Sequence, residues 1–597
     1  MTDSIDTTLL DHYQRELTWL RRAGQEFAQR YPKVGQRLAL SASECADPHV
    51  ERLLEGFALL TARLQRRLDD GYGDFSNALL EQLYPLALRP VPSCGIVRFQ
   101  PDATQGTLKG GFHLPRDTPL FTANAAGESL HFRTAYPVTL WPLEIAAVRF
   151  LGAEETQAFT GIAAGQSALR IDLQALGEHL LPELPITSLR LHLGCAARIV
   201  AELTDLLQAS VQTVLCGLPD GPLQPVAGAV TLVGFAEGEQ LLPDEESVHP
   251  GLRLLYEYFA FTEKFAFFDV PLAIPPGATN QLSLYVVFQR LPRHLPSLHR
   301  DDLQLGCTPM VNLFPRTAEP LRPSGTQSEY RLVADAHRED SVEIHSVRSL
   351  RAMTATGVVD VAPYYGHGHL LASTSLYWHT RRSEGLNPSR RGSDMQLSLV
   401  DTQLDPTVAT AITSLTAKVL CTNRGQAQAL PAGANLFFER PGPVTRIELL
   451  RKPSDQVTPD LQGASRWQLV SLLALNQQSL VEGPGALEAL KEMLALHNLR
   501  GDDTLRRQIQ GISGLTTRKV MDRVGDDAWR GWRQGYEVRL TLDPEAFHGT
   551  SPVLFAAVVA RFLTLYVSAN CFVRTVLILA DKEIKTWQPW TGNALLL

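Results

Sequence analysis

The hydrophobic period of this sequence changes at a proline cluster, Pro85, Pro90 and Pro92, and that change limits what the chain can fold into. Before the cluster, Leu10, Tyr13, Leu17, Leu20, Gly24, Phe27 and Tyr31 recur at spacings of 3, 4, 3, 4, 3 and 4, a heptad seam that Pro32 stops. Asp47 is placed to cap a second helix and Pro48 fits its first turn. Val50, Leu53, Leu54, Phe57, Leu60, Leu64 and Leu68 then form one apolar stripe, with Gly71 as the predicted stop and a shorter helix over 75–83.

After the cluster the period becomes two. "SLRLHLGC" sets Leu189, Leu191 and Leu193 against Arg190 and His192, and "QLSLYVVFQR" repeats the pattern. Further strands are predicted in "SVEIHSVRSL", "DMQLSLV" and "TAKVLCTN", and the region reads as mainly antiparallel β. From about residue 425 helices (466–480, 484–498, 552–568) mix with strands ("YEVRLTLD", "CFVRTVLIL"). The predicted fold is α+β and multidomain: a helical module at 1–92, β-rich domains at 93–235 and 236–424, and an α+β domain at 425–597. A chain of 597 residues exceeds a single core, so division is expected on length alone.

Composition removes several functional classes. A net charge of −8 argues against nonspecific binding to nucleic acid or anionic lipid, which needs a basic face. The seven cysteines are scattered, without a C-x-x-C pair, and read as reduced core thiols of a cytosolic protein. No secretory signal is readable in "MTDSIDTTLLDHYQRE". In the apolar stretch 551–580, Arg561 and Arg574 leave only 12 uncharged residues between them, too few to span a bilayer. It reads as a buried helix and strand, or as a helix whose surface a second chain completes; no membrane insertion is expected.

Local chemistry is sparse. There is no phosphate-binding glycine loop and no dinucleotide fingerprint. "GISGL" lacks the second glycine of a nucleophile elbow, so Ser513 reads as a turn residue. His367 and His369 in "YYGHGHL" would share a strand face, but zinc needs further ligands that nothing indicates. "HTRRSEGLNPSRRGSD" places Arg381, Arg382, Arg390 and Arg391 on one polar loop, either solvated or a docking patch for an acidic partner. No catalytic residue, cofactor or metal is expected, which favours a structural or binding role. A cytosolic enzyme with a dispersed, motif-less active site is the alternative.

One window resists these readings. "LLYEYFAFTEKFAFFD" (254–269) holds seven aromatics, yet Glu257, Glu263 and Lys264 lie among them. Tyr258, Phe261, Phe265 and Phe268 fit helical spacing, whereas Phe265 and Phe267 alternate as in a strand. A helix ending near Phe261 and a strand entered by Lys264 would satisfy both. Core packing at a subdomain junction and a partner-facing anchor both remain open, because aromatics are enriched in each setting.

That window also carries a family resemblance. With "DPHVERLLEGFALLTARLQRRLDD", "LLEQLYPLALRPVPS", "FRTAYPVTLWPL", "CTPMVNLFPRTAEPL", "LCTNR", "WQLVSLLALNQQSL" and "RFLTLYVSANCF", it resembles the TssF family of type VI secretion baseplate wedge subunits, also called ImpG or VasA. The matching segments run in order from residue 47 to 572. One departure is Thr262, where the family pattern "FAFPEKF" has proline. The resemblance implies a noncatalytic cytoplasmic scaffold that pairs with TssG and a second TssF copy. It further implies assembly with TssK and TssE around the VgrG spike, beneath the membrane complex, to nucleate the contractile sheath. The candidate interface residues are Leu10, Tyr13, Leu17, Leu20 and Phe27 in the seam, the aromatics Tyr258, Phe261, Phe265 and Phe268, and Arg381 with Arg382. An intrachain bundle between the seam and the 47–70 helix is the competing reading of the first group.

Overall fold

The computed structural model describes the chain except for residues 1–2, 38–46, 105–107, 162–164, 220, 245–247, 293–295, 325, 356, 366–375, 386–391, 402–411, 440–441, 460–464, 474–482, 484, 524–531, 566, 568–570 and 592–597. The chain divides into two compact units, one formed by Met1–Glu81 with Asp460–Val470 and the other by the rest.

The first unit is helical. The seam forms the helix Asp3–Arg30, and Pro32 opens the short helix Pro32–Arg37. The third helix is longer than its sequence predicts: Pro48–Leu83 runs unbroken for 36 residues, about 54 Å. Its start is as expected, because the Asp47 carboxylate accepts from the His49 amide at 2.9 Å. Gly71 does not stop it. An interior glycine costs only about 1 kcal/mol, less than one well-packed leucine returns, so the helix runs on until Pro85. Within this unit Phe75 also meets Trp467 of the Ser465–Leu473 helix, ring centres 6.4 Å apart.

The second unit is built on sheets that ignore chain order. A closed barrel joins Cys94–Pro101, Cys307–Val311, Ser129–Thr134, Pro119–Ala123, Asn435–Phe438 and Val444–Leu449 around Val97, Phe99, Leu130, Phe132, Met310 and Leu449. Beside it, a five-stranded sheet (Leu223–Val226, Val211–Gly217, Gln281–Phe288, Ser167–Ala175, Leu143–Leu151) shares one core with a four-stranded sheet (Thr231–Leu232, Phe267–Pro271, Ser188–Leu193, Leu303–Gln304). The helix Ala197–Ala209 adds Leu203, Leu206 and Leu207 to that core. A seven-stranded sheet from Phe314–Thr317 to Ile412–Thr422 has its own core, and its Gly357–Pro363 and Leu376–Glu384 strands pair in parallel.

These pairings cross the predicted domain limits. The barrel takes strands from both sides of residues 235 and 424, and Gln281–Phe288 sits between Val211–Gly217 and Ser167–Ala175. Periodicity reports which residues face a core, but not which distant strand supplies the other wall. The C-terminal part is α+β: Trp532–Leu542 pairs antiparallel with Ile512–Arg523 and parallel with Phe572–Leu579, with the helix Pro552–Leu565 between the parallel strands in sequence.

Candidate assembly interface

The aromatic window is core. Pro250–Ala260 is helical, capped by His249 Nδ1 accepting from the Gly251 amide at 3.1 Å, with Pro250 in its first turn. A 3₁₀ turn, Thr262–Phe265, leads into the strand Phe267–Pro271. Thr262, the departure from the family pattern, donates its hydroxyl to the Tyr258 carbonyl at 2.9 Å, satisfying one of the carbonyls left free at the helix end. Tyr258, Phe261, Phe265 and Phe268 are all buried, so they offer no surface to a partner and are withdrawn as interface candidates. Tyr258 lies 6.0 Å from the Phe265 ring and 6.1 Å from Phe555, and its hydroxyl donates to Gln508 Oε1 at 2.9 Å. The anchor therefore faces inward, joining this segment to the C-terminal helix.

The charges in the window belong to the same core. Lys264 and Glu257 form an ion pair whose side chains are 0% and 2% exposed. The other Glu257 oxygen accepts from the Leu241 and Leu242 amides, both at 3.0 Å, and Lys264 Nζ also donates to the Glu239 carbonyl at 3.2 Å. Tyr136 donates to the Lys264 carbonyl at 2.9 Å. A buried charge survives only when paired and hydrogen-bonded, and both are. Glu263, by contrast, points outward and meets Arg451 at 3.3 Å.

The arginines likewise separate. Arg381 and Arg382 stand on the strand Leu376–Glu384 and not on a loop, paired with Ser393–Asp401. Arg382 is buried: it donates to Ser393 Oγ at 2.6 Å and to the His345 carbonyl at 2.7 Å, close to the buried carboxylate of Glu343. It cannot serve as a docking cation, because strand alternation turns it inward. Arg381 points out and is held by Glu329 through a forked pair at 3.1 and 2.8 Å. Arg390 and Arg391, with His367 and His369, lie outside the described residues. Ser513 is not in a turn but in the strand Ile512–Arg523, at a register irregularity, where its hydroxyl donates to the Thr541 carbonyl at 3.2 Å. Among the described residues no group of three or more His, Cys, Asp or Glu side chains could hold a metal.

The C-terminal helix Pro552–Leu565 is buried along most of its length, from Val553 through Thr564. Its apolar surface is completed by this chain, so no second chain is needed to cover it. Asp205 caps it from the helix Ala197–Ala209, accepting from the Ser551 hydroxyl and from the Val553 amide at 3.3 Å. Burial pushes the Asp205 carboxyl up to about 7 against those hydrogen bonds, which pull the other way.

The N-terminal module carries exposed apolar side chains at regular spacing. Along Asp3–Arg30, Tyr13, Leu17 and Leu20 are half-buried, while Leu10 and Phe27 are exposed. On Pro48–Leu83 the expected stripe divides. Leu53, Phe57, Leu60 and Leu64 are 75, 59, 59 and 62% exposed, at spacings of 4, 3 and 4, while Ala58 and Ala62 are fully buried. At about 100° per residue the exposed stripe lies nearly opposite the two alanines. Arg21 Nε donates to Glu51 Oε1 at 3.0 Å on the alanine side, linking the first and third helices. Apolar periodicity alone groups every apolar residue of this helix on one face and so does not single out the exposed stripe. The small residues at 58 and 62 were the available signal, since close helix approach selects alanine.

Comparison with known proteins agrees with this architecture. The family model for "Type VI secretion system, TssF" matches residues 5–594. The type VI secretion system component TssF1 of Pseudomonas aeruginosa is 32% identical over 613 aligned positions, covering 98% of this chain and 99% of that protein. A chain in the cryo-electron microscopy structure of the type VI secretion TssK-TssF-TssG baseplate subcomplex superposes with a TM-score of 0.72 at 25% identity, covering 91% of this chain and all of that one. A chain of the type VI secretion baseplate complex shares the fold, with a TM-score of 0.58 at 24% identity over 98% of this chain and all of that one. A whole-length family match, together with a relative of this identity and coverage, places the chain in the TssF family of the type VI secretion system.

Proposed function

We propose that this chain is a structural subunit of a type VI secretion baseplate, bound to TssG and TssK, and that the N-terminal helices form its contact with TssG. The observation that carries the contact is the stripe Leu53, Phe57, Leu60 and Leu64, exposed at heptad spacing on a 36-residue helix. A seam of this kind is stable in water only when another helix covers it. The solved relative containing TssK and TssG supplies the partner identities. Pairing with a second TssF copy, addition of TssE, placement around VgrG beneath the membrane complex, and nucleation of the sheath extend the same reading. Among the described residues no helix is long and apolar enough to cross a membrane, in keeping with a role on the membrane's cytoplasmic side. The chain acts by binding, without catalysis.

The test is co-purification with TssG after the double change Phe57→Asp and Leu60→Asp. Both side chains are exposed in the single chain, so the module keeps its fold while two charges enter the proposed seam. Loss of TssG with an unchanged helical signal supports the contact. Retained TssG refutes it.

A further inference from the structure

A groove of about 320 Å³ lies in the second unit and plays no part in the helical contact. Its walls come from three separate sheets. Val138–Leu140 belongs to a two-stranded sheet with Phe112–Leu114; Leu143–Leu151 is the last strand of the five-stranded sheet; Leu303–Gln304 is the last strand of the four-stranded sheet. Residues of all three strands line the groove. Each is an end strand of its sheet, and the side of an end strand that no neighbour pairs is a row of backbone donors and acceptors that an extended chain can pair with.

The charges in the groove are unequal in their engagement. Arg190 is held by Asp269 at 2.8 and 2.7 Å and by Glu239 at 3.1 Å. Arg300 has Glu144 and Asp301, each at 3.8 Å. The Arg98 side chain, on the barrel strand Cys94–Pro101, makes no hydrogen bond or ion pair with the described residues. Its cross-strand neighbours are Cys307 and Glu448, and Glu448 is engaged by Arg446 at 3.5 Å. Arg98 is half-buried, so its charge has given up part of its water without gaining a carboxylate.

We propose that this groove is a docking slot for an extended, acidic peptide segment of another protein, which pairs by its backbone with the strand edges and places a carboxylate on Arg98. The volume is within the range of sites that hold a few residues. An extended segment uses the edges and an acidic one uses the Arg98 charge; a basic segment would be repelled by Arg98, and a helical one would leave the edges unpaired.

The experiment pans a phage library of random peptides, each about a dozen residues long, on the full chain and on Arg98→Glu. Peptides selected on the unmodified chain are expected to be enriched in Asp and Glu and to bind Arg98→Glu about tenfold more weakly or worse. One selected peptide is then tested by amide hydrogen exchange on the unmodified chain, where it should slow exchange in Val138–Leu140 and Leu303–Gln304. Arg98→Gln, which removes the charge without reversing it, serves if Arg98→Glu does not fold. Selection without acidic enrichment, equal binding to the Arg98 variants, or binding that leaves those amides unprotected would each overturn the proposal. The exchange measurement decides even if both variants misfold.

Discussion

Lys264 and Glu257 face each other as an ion pair inside a cluster of aromatic rings, seven residues apart in sequence and both shut off from water. The pair spans the break between helix and strand, so one carboxylate ties down the Leu241–Leu242 backbone while its partner lysine holds the Glu239 carbonyl. The charges in this window thus fix a turn in the core.

Removing one partner leaves the other charge buried and alone. Glu257→Gln or Lys264→Met is therefore expected to cost about 3–5 kcal/mol, seen as a lowered thermal midpoint. The double change Glu257→Leu with Lys264→Met should recover part of the loss, because both charges leave together. Single variants that melt like the unmodified chain would show that the pair is hydrated after all.

The half-buried and exposed parts of the N-terminal module should respond differently. Leu17→Asp with Leu20→Asp strikes side chains already partly packed within the chain, so helical signal should fall along with TssG binding. Phe57→Asp with Leu60→Asp should remove binding alone. Circular dichroism of the free chain beside a pull-down separates the two, and identical behaviour of both pairs would contradict the division of faces.

Asp205 gives a pH dependence with a defined sign. Its folded value, about 7, lies above the ordinary 3.8, so the fold favours the neutral acid. The stability this contributes is complete below the ordinary value and is lost as pH rises through the folded one. Asp205→Asn keeps an acceptor for Ser551 and Val553 without the charge. The unmodified chain should therefore lose thermal midpoint relative to Asp205→Asn between acidic and neutral pH, and level off above it. A difference that stays constant with pH would mean that the helix N-terminus holds the carboxylate ionised throughout.

Adjacent arginines should differ sharply. Arg382→Ala removes the donor to the His345 carbonyl and one donor to the Ser393 hydroxyl, takes a cation away from the buried Glu343 carboxylate, and should cost about 2–4 kcal/mol. Arg381→Ala loses a partly exposed pair with Glu329, and such pairs are worth about 1 kcal/mol or less. Denaturation of the two variants side by side is the check, and equal losses would contradict the inward and outward assignment.

A role without catalysis predicts that Ser513→Ala, and His367→Ala with His369→Ala, leave secretion intact. Secretion lost at normal protein level and normal baseplate assembly would point to chemistry instead.

Elements with local signals are legible in the chain before any contact is known. The proline stop after the seam, the Asp47 cap, the helix end near Phe261 and the alternating strand at 188–193 all arise from residues close together in the chain. The family is legible in the same way, because ordered motifs need no contacts to be recognised. Tertiary structure alone decided which apolar residues face inward. Phe57 and Phe265 are equally hydrophobic, yet one is more than half exposed and the other wholly buried. The difference comes from Ala58 and Ala62 turning one helix, and from Glu257, Lys264 and the distant Phe555 enclosing the other ring cluster. The barrel, with strands from 94 to 449, was invisible for the same reason: hydrophobic burial is nondirectional, and periodicity records that a residue is covered without recording by what.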